Sequence, residues 1–193
     1  MKKYKVRDGW IIWEPSFFTN EQASFHFKYL IDELPWSGGS IKLFGKEYEI
    51  PRKQVFFADE ELSYGYSGKS LVKSPWDAEV LNIKTFVEQS ADVDFNACLG
   101  NLYRNGQDSN GWHADNEREL GVNPVIGSVS FGATRVFQLK HNQTKEKMSF
   151  NLSHGSLLIM GGAMQHNWKH QIPKTKRNIG PRINLTFREL FNQ

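Results

Sequence analysis

His113-Ala114-Asp115 places an imidazole and a carboxylate two positions apart near the middle of the chain. On an extended segment that spacing turns both side chains to one face, where both can reach a single ion. Two histidines and one carboxylate leave coordination positions open, the arrangement of non-haem iron(II) oxygenases. The second histidine must come from elsewhere, and His141, His154, His166 and His170 all follow. His141 falls in the polar run HNQTKEK, which reads as a solvated hairpin loop, and His154 precedes Gly155, where a turn is the simpler reading. His166 and His170 both follow the apolar run GSLLIMGG, and spacing alone does not choose between them.

A second kind of chemistry belongs to RINLTFR, residues 182–188. Period-two alternation sets Ile183, Leu185 and Phe187 on one face and Arg182, Asn184, Thr186 and Arg188 on the other. On an edge strand the polar face would be ordinary solvent exposure; inside a barrel it would be a cationic floor, its guanidinium forks matched to a dicarboxylate. Asn101-Leu102-Tyr103 repeats the alternation, and its amide and phenol can complete such a pocket or form a satisfied polar pair in a sheet.

Two helices and a series of short strands must position these groups. Thr19 and Gln22 form a capping-box signature, and Ala23, Phe27, Leu30, Ile31 and Leu34 share one face, which predicts a helix over about 20–34. Ser74-Pro75 reads as a second start, with Val80, Ile83 and Val87 as the apolar stripe and an end near Ala91. Strands are expected at about 41–50 around Gly45, then at 97–104, 125–131, 134–140, 147–152, 155–161 and 182–188. Helices ahead of evenly spaced strands give an α+β class with a sandwich or barrel such as the jelly roll, whose cup can enclose a small site.

The 193 residues suit a single domain, and no repeat or linker divides them. A net charge of +3 permits an anionic partner without demanding one, so local patches must supply the attraction. The one cysteine, Cys98, excludes an internal disulfide framework, no apolar run reaches the ~20 residues of a membrane span, and the basic start MKKYKVRDGW lacks the apolar core of a secretory signal. A soluble intracellular protein is expected.

NLYRNG, HADNEREL, SVSFGATR, HGSLLIMGG, KHQIP and PRINLTFR stand together in order, and together they resemble the AlkB family of alkylated-nucleic-acid demethylases. IPRKQVFFADEELSYGYSG follows the pattern of the branch that repairs duplex DNA, so the resemblance covers about 36–190. It implies a double-stranded β-helix (jelly roll) core over about 96–190, with helices and a nucleotide-recognition hairpin over about 1–95. It implies iron(II) held by His113, Asp115 and His170, because KHQIP matches the family's distal-histidine motif; His166 is the fallback. By the same match Arg182 meets the distal carboxylate of the co-substrate 2-oxoglutarate, helped by Tyr103 and Asn184, while Asn101 and Arg188 sit near its other end. The implied reaction uses O2 to demethylate 1-methyladenine and 3-methylcytosine in DNA, through a ferryl intermediate, with release of formaldehyde and succinate.

For the substrate the resemblance points to Phe44, in Leu43-Phe44-Gly45, as a wedge between base steps, against ordinary packing in a hairpin. It places Tyr64 and Tyr66 around the flipped base and Glu117 as acceptor for its exocyclic amine, against a solvated charge in the run NERE. Arg52, Lys53, Lys169, Lys174, Lys176 and Arg177 are candidates for phosphates. The chain departs from the family pattern in its Tyr66 hydroxyl, in Asn116 where an acidic residue is common, and in a short stretch between Lys140 and Lys147. Single-stranded DNA or RNA therefore stays open as substrate. The rival readings are an oxygenase of the same chemistry acting on protein or a small molecule, and a non-enzymatic metal-binding jelly roll. The expected state is a monomer on methylated nucleic acid, in the cytoplasm with the nucleoid or in a nucleus.

Overall fold

Thr19 caps the first helix in both directions: its hydroxyl accepts from the Gln22 amide at 3.2 Å, and the Gln22 side chain accepts from the Thr19 amide at 3.0 Å. In the computed structural model, which describes residues 1–43, 46–62, 65–66, 69–70 and 72–192 and the side chains outside 41–47 and 63–71, this helix is α1 (Asn20–Glu33). The second helix is α2 (Ala78–Ala91), with Val80, Ile83 and Val87 buried as expected. Its cap is Asp77, not the expected Ser74-Pro75 pair. The Asp77 carboxylate accepts from the Glu79 amide at 2.9 Å and the Val80 amide at 3.1 Å, and its charge also suits the positive end of the helix. A third, short helix is α3 (Met164–Asn167).

The strands run β1 (Lys3–Val6), β2 (Gly9–Glu14), β3 (Ser40–Leu43), β4 (Lys46–Glu49), β5 (Lys53–Ala58), β6 (Gly65–Tyr66), β7 (Lys69–Ser70) and β8 (Lys73–Ser74) in the first half. The second half holds β9 (Ala97–Tyr103), β10 (Asn110–His113), β11 (Ile126–Gly132), β12 (Arg135–His141), β13 (Lys147–Leu152), β14 (Ser156–Gly161), β15 (Trp168–Ile172) and β16 (Arg182–Arg188). A major sheet has the order β1-β2-β14-β11-β16-β9-β5-β8, and a minor sheet the order β10-β15-β12-β13. Hairpins β3-β4 and β6-β7 stand apart from both.

Helices α1 and α2 lie on one face of the major sheet, against β11. Their shared core includes Leu30, Ile83, Val129, Phe131, Ile183, Leu185 and Phe187. Cys98 belongs to this layer at 0% exposure, and burial pushes its thiol well above the ordinary value. The opposite face of the major sheet closes on the minor sheet through a second core that joins Leu99, Ile126, Leu158 and Met160 to Phe137, Leu139, Leu152 and Trp168. Two facing sheets backed by helices form the jelly-roll architecture, and the space between them is the cup.

The expected strands of the second half are all present, with ends displaced by one residue at most. Several others carry no clear alternation. β2 reads GWIIWE, a run suited to burial on both faces, while β10 (NGWH) and β15 (WKHQI) are short and polar. The first 95 residues supply more than helices and a hairpin: β1, β2, β5 and β8 all join the major sheet, and β5 pairs directly with β9. His141 is not in a solvated loop. It is 2% exposed at the end of β12, where its Nε2 lies 2.8 Å from Asp8 Oδ2 and its Nδ1 accepts from the Gln143 and Thr144 amides. His154 does serve a turn, its Nδ1 accepting from the Gly132 amide at 2.8 Å. No helix among the described residues is long and apolar enough to cross a membrane.

Candidate metal and co-substrate site

Register places the two ring ligands. β10 and β15 are antiparallel neighbours in which His113 and His170 stand directly opposite, with ring centroids 4.2 Å apart. Asp115 follows just beyond the end of β10, and its backbone amide donates to Gln165 Oε1 at 3.0 Å, which anchors the non-strand segment to α3. One ligand atom from each of His113, Asp115 and His170 lies within 4.8 Å of the others. His166 is elsewhere: it is exposed, and its Nε2 accepts from the Asn123 amide at 3.3 Å.

Hydrogen bonds orient His113 and Asp115. His113 Nδ1 lies 2.7 Å from the Gly111 carbonyl, which assigns the proton to Nδ1 and makes Nε2, 3.2 Å from the Asn110 side-chain amide nitrogen, the atom that can offer a lone pair to a metal. Asp115 Oδ2 accepts from Arg188 Nη2 at 2.7 Å and from Nε at 3.2 Å, whereas Oδ1 is buried without a hydrogen-bond partner. Burial alone would raise the Asp115 carboxyl, but Arg188, His170 and His113 outweigh it and hold the group below the usual carboxylate range. Burial, reinforced by His113, pushes His170 down to about 3, so its ring is neutral and ready to coordinate at neutral pH.

The far side of the cup is the polar face of β16. β16 lies between β11 and β9, so it is no edge strand, and Arg182, Asn184, Thr186 and Arg188 are all buried. Arg182 Nη2 donates to Ser130 Oγ at 2.9 Å, while Nε and Nη1 are buried without hydrogen-bond partners. Burial pushes this guanidinium down to about 10, still charged at neutral pH. Tyr103 stands opposite Arg182 in the register, with the guanidinium carbon 5.1 Å from the ring centroid. Asn184 Nδ2 donates to Ser128 Oγ and to the Val129 carbonyl, both at 2.9 Å, and Asn184 Oδ1 accepts from Thr186 Oγ1. One cavity is lined by His113, Asp115 and His170 together with Asn101, Tyr103, Arg182, Asn184 and Arg188.

Several residues stand differently from their sequence reading. Arg188 lines the cavity at its metal end and, beyond its sequence reading, also holds Asp115. Arg52 is not a surface cation for phosphate: at 4% exposure its Nε donates to Asn101 Oδ1 at 2.7 Å and its Nη1 to the Ser109 carbonyl at 3.2 Å. Lys53, Lys169, Lys174, Lys176 and Arg177 are exposed. Glu117 is half-buried with one carboxylate oxygen enclosed, unlike a freely solvated charge. Phe44 and Tyr64 lie outside the described residues, as does the side chain of Tyr66. Ser128, Ser130 and Gln165 were missed. The two serines alternate in SVSFG and so carried a period-two signal; Gln165, in a helix of four residues, carried none.

Two imidazoles, a carboxylate with one orphaned oxygen and a buried guanidinium with orphaned donors, all in one jelly-roll cup, fit an iron(II) oxygenase that takes a dicarboxylate co-substrate. Residues 11–188 match the model of the 2OG-Fe(II) oxygenase superfamily. The chain is 37% identical over 187 residues to alpha-ketoglutarate-dependent dioxygenase alkB homolog 3 of Bos taurus, across 92% of this chain and 65% of that protein. It is 36% identical over 185 residues to the DNA oxidative demethylase ALKBH2 of Homo sapiens, across 90% of this chain and 71% of that protein. The chain thus spans just under two thirds of the length of the first relative, at 65%. The solved structure of OsALKBH1 shares the fold, with a TM-score of 0.62 at 17% identity over 96% of this chain and 100% of that one. The chain belongs to the AlkB family of the 2OG-Fe(II) oxygenase superfamily, whose chemistry uses iron(II), 2-oxoglutarate and dioxygen.

Proposed function

We propose that this chain is an iron(II)- and 2-oxoglutarate-dependent dioxygenase that demethylates 1-methyladenine and 3-methylcytosine in DNA. The observation that carries this reading is the pair of orphaned groups in one cavity, Asp115 Oδ1 and the Nε and Nη1 of Arg182. Leaving a buried polar group unpartnered costs about 1–3 kcal/mol, more when it is charged, so both call for a ligand. The carboxylate oxygen calls for a cation and the guanidinium for a carboxylate.

His113, Asp115 and His170 would hold the iron, and Arg182 with Tyr103 the distal carboxylate of 2-oxoglutarate. Bound there, the two supply oxidation of an N-methyl carbon by dioxygen, with 2-oxoglutarate leaving as succinate and carbon dioxide and the hydroxylated methyl leaving as formaldehyde. The protein's part is positional. Arg188 keeps Asp115 ionised and turns its free oxygen toward the two imidazoles. The Gly111 carbonyl fixes the His113 tautomer. Phe137, whose ring lies 5.2 Å from that of His170, joins Ile126, Leu152 and Met160 in lining the cavity and excluding water.

The nucleic-acid substrate is supported by relatives named as DNA oxidative demethylases and by the exposed cations Lys169, Lys174, Lys176 and Arg177. Glu117 is the proposed acceptor for the exocyclic amine of the flipped base, with Phe44, Tyr64 and Tyr66 as its proposed wedge and walls. The protein acts as a monomer wherever the genome is kept, the nucleoid in a bacterium or the nucleus in a eukaryote.

The test is a panel of single- and double-stranded DNA and RNA, each carrying 1-methyladenine or 3-methylcytosine, at one salt concentration because phosphate contacts make affinity salt-dependent. Formaldehyde and succinate should appear together, and only with methylated oligonucleotides. Equal succinate from unmodified oligonucleotides would exclude the demethylase reading, and a preference for methylated RNA would move the substrate from DNA to RNA.

A further inference from the structure

Arg135, the first residue of β12, is 3% exposed, and among the described residues its hydrogen bonds go to backbone carbonyls alone. Its Nη2 donates to the Asp108 carbonyl at 2.9 Å and to the Pro173 carbonyl at 2.6 Å, and its Nη1 to the Asn105 carbonyl at 3.3 Å. Asn105 and Asp108 lie in the loop that leads into β10 and His113, and Pro173 directly follows β15, which carries His170. One guanidinium therefore fastens the entry to one ring-ligand strand and the exit from the other.

The same group also reaches the co-substrate end. Its carbon lies 5.6 Å from the Tyr103 ring centroid, and that of Arg182 lies 5.1 Å from the same centroid. Tyr103 and Arg182 line the cavity, whereas Arg135 stands one layer back. Two buried cations thus share one phenol, and the nearby Asp108 carboxylate is already bound by Arg104 through Nε and Nη2, both at 2.8 Å. That leaves an excess of buried positive charge which an entering carboxylate would offset.

We propose that Arg135 is a positioning residue for the co-substrate: it seats the Tyr103 ring and pins the flanking loops so that the orphaned nitrogens of Arg182 face the distal carboxylate of 2-oxoglutarate. This rests on the reading that the cup takes 2-oxoglutarate. A guanidinium is required because three carbonyls around one planar fork exceed what a single ammonium can reach in the same place. The loops do not depend on Arg135 for their existence. Arg104 still clamps Asp108, and the Thr175 amide still donates to the Gly106 carbonyl at 2.8 Å, so Arg135→Met should fold.

The experiment measures 2-oxoglutarate affinity by calorimetry with Mn(II) in place of iron, which keeps the protein catalytically silent, and Mn(II) affinity separately. Arg135→Met should weaken 2-oxoglutarate binding at least about tenfold, equivalent to about 1.4 kcal/mol, while Mn(II) affinity changes by less than about threefold. Arg135→Lys should recover only part of the loss. In a double-mutant cycle, adding Arg135→Met to Tyr103→Phe should cost clearly less than it costs alone, since one acts through the other. Unchanged 2-oxoglutarate affinity in Arg135→Met would overturn the proposal, as would full additivity with Tyr103→Phe or an equal loss of Mn(II) binding. If Arg135→Met does not fold, Arg135→Lys decides alone, and affinity equal to the parent overturns it. Should the parent itself bind no 2-oxoglutarate under these conditions, the co-substrate reading fails instead.

Discussion

Strand β16 buries both its faces, and it does so in opposite ways. Ile183, Leu185 and Phe187 pack under the helices at 0% exposure and contain nothing that needs a partner. Arg182, Asn184, Thr186 and Arg188 point into the cup at 8% exposure or less, each with polar atoms to satisfy. Asn184 is satisfied by Ser128 and the Val129 carbonyl, and Arg188 holds Asp115, but Arg182 is left incomplete. Both faces are thus buried, and what separates core from site is the list of polar atoms left over. The dry face supplies the stability that allows the wet face to remain unfinished until a ligand arrives.

Substitutions can break that contrast. Asp115→Ala has the largest expected effect: it removes the carboxylate ligand and takes from the buried Arg188 the carboxylate that offsets its charge, at a stability cost of about 3–5 kcal/mol. Succinate formation should fall to background and metal content with it; retained turnover would refute the metal assignment. Phe187→Ala, on the dry face, should cost a similar ~3–5 kcal/mol in a urea melt while the folded protein binds 2-oxoglutarate nearly as well as the parent. A large loss of affinity in that variant would mean the faces are not independent. Arg182→Met should do the reverse, leaving stability unchanged or higher because an incompletely paired buried cation is removed. Its co-substrate affinity should drop by about 1.5–3 kcal/mol for each charge-assisted hydrogen bond lost, and affinity equal to the parent would disprove the pocket.

A smaller effect concerns pH. His170 titrates at about 3 in the folded metal-free protein, against about 6.5 in an unfolded chain. Between those values the unfolded chain binds the extra proton, so its contribution to stability is complete above pH ~6.5 and is lost as pH falls, by up to about 1.4 kcal/mol per pH unit. Melts of the metal-free protein from pH 7 to 5 should show a slope of that sign, to which His113 and His154, also pushed down by burial, add, and His170→Gln should reduce it; an identical slope in the variant would rule His170 out as a source.

Local signals were readable and distant pairings were not. The Thr19 capping box and the alternation in RINLTFR depend on neighbours in sequence, and both appear in the structure as read. His170 could not be told from His166 by spacing, because the strand that carries it has five residues and its partner β10 has four, too short to show a period. The attachment of Arg188 to Asp115 spans 73 positions, and that of Arg52 to Asn101 spans 49; only sheet register brings them together. His141 sits in a polar run yet is buried, because Asp8 from the first hairpin closes over it. The start of α2 was misplaced for a simpler reason: Asp77 competes with Ser74-Pro75 and holds two amides at once.

Cys98 lies on β9 between β16 and β5, beneath the helices, and it is the chain's only cysteine. A thiol so placed reacts with disulfide reagents only when the helix layer separates from the major sheet. Its labelling rate is therefore a built-in clock for global opening of the whole domain. It reads the same event with or without metal and co-substrate, and needs no added probe.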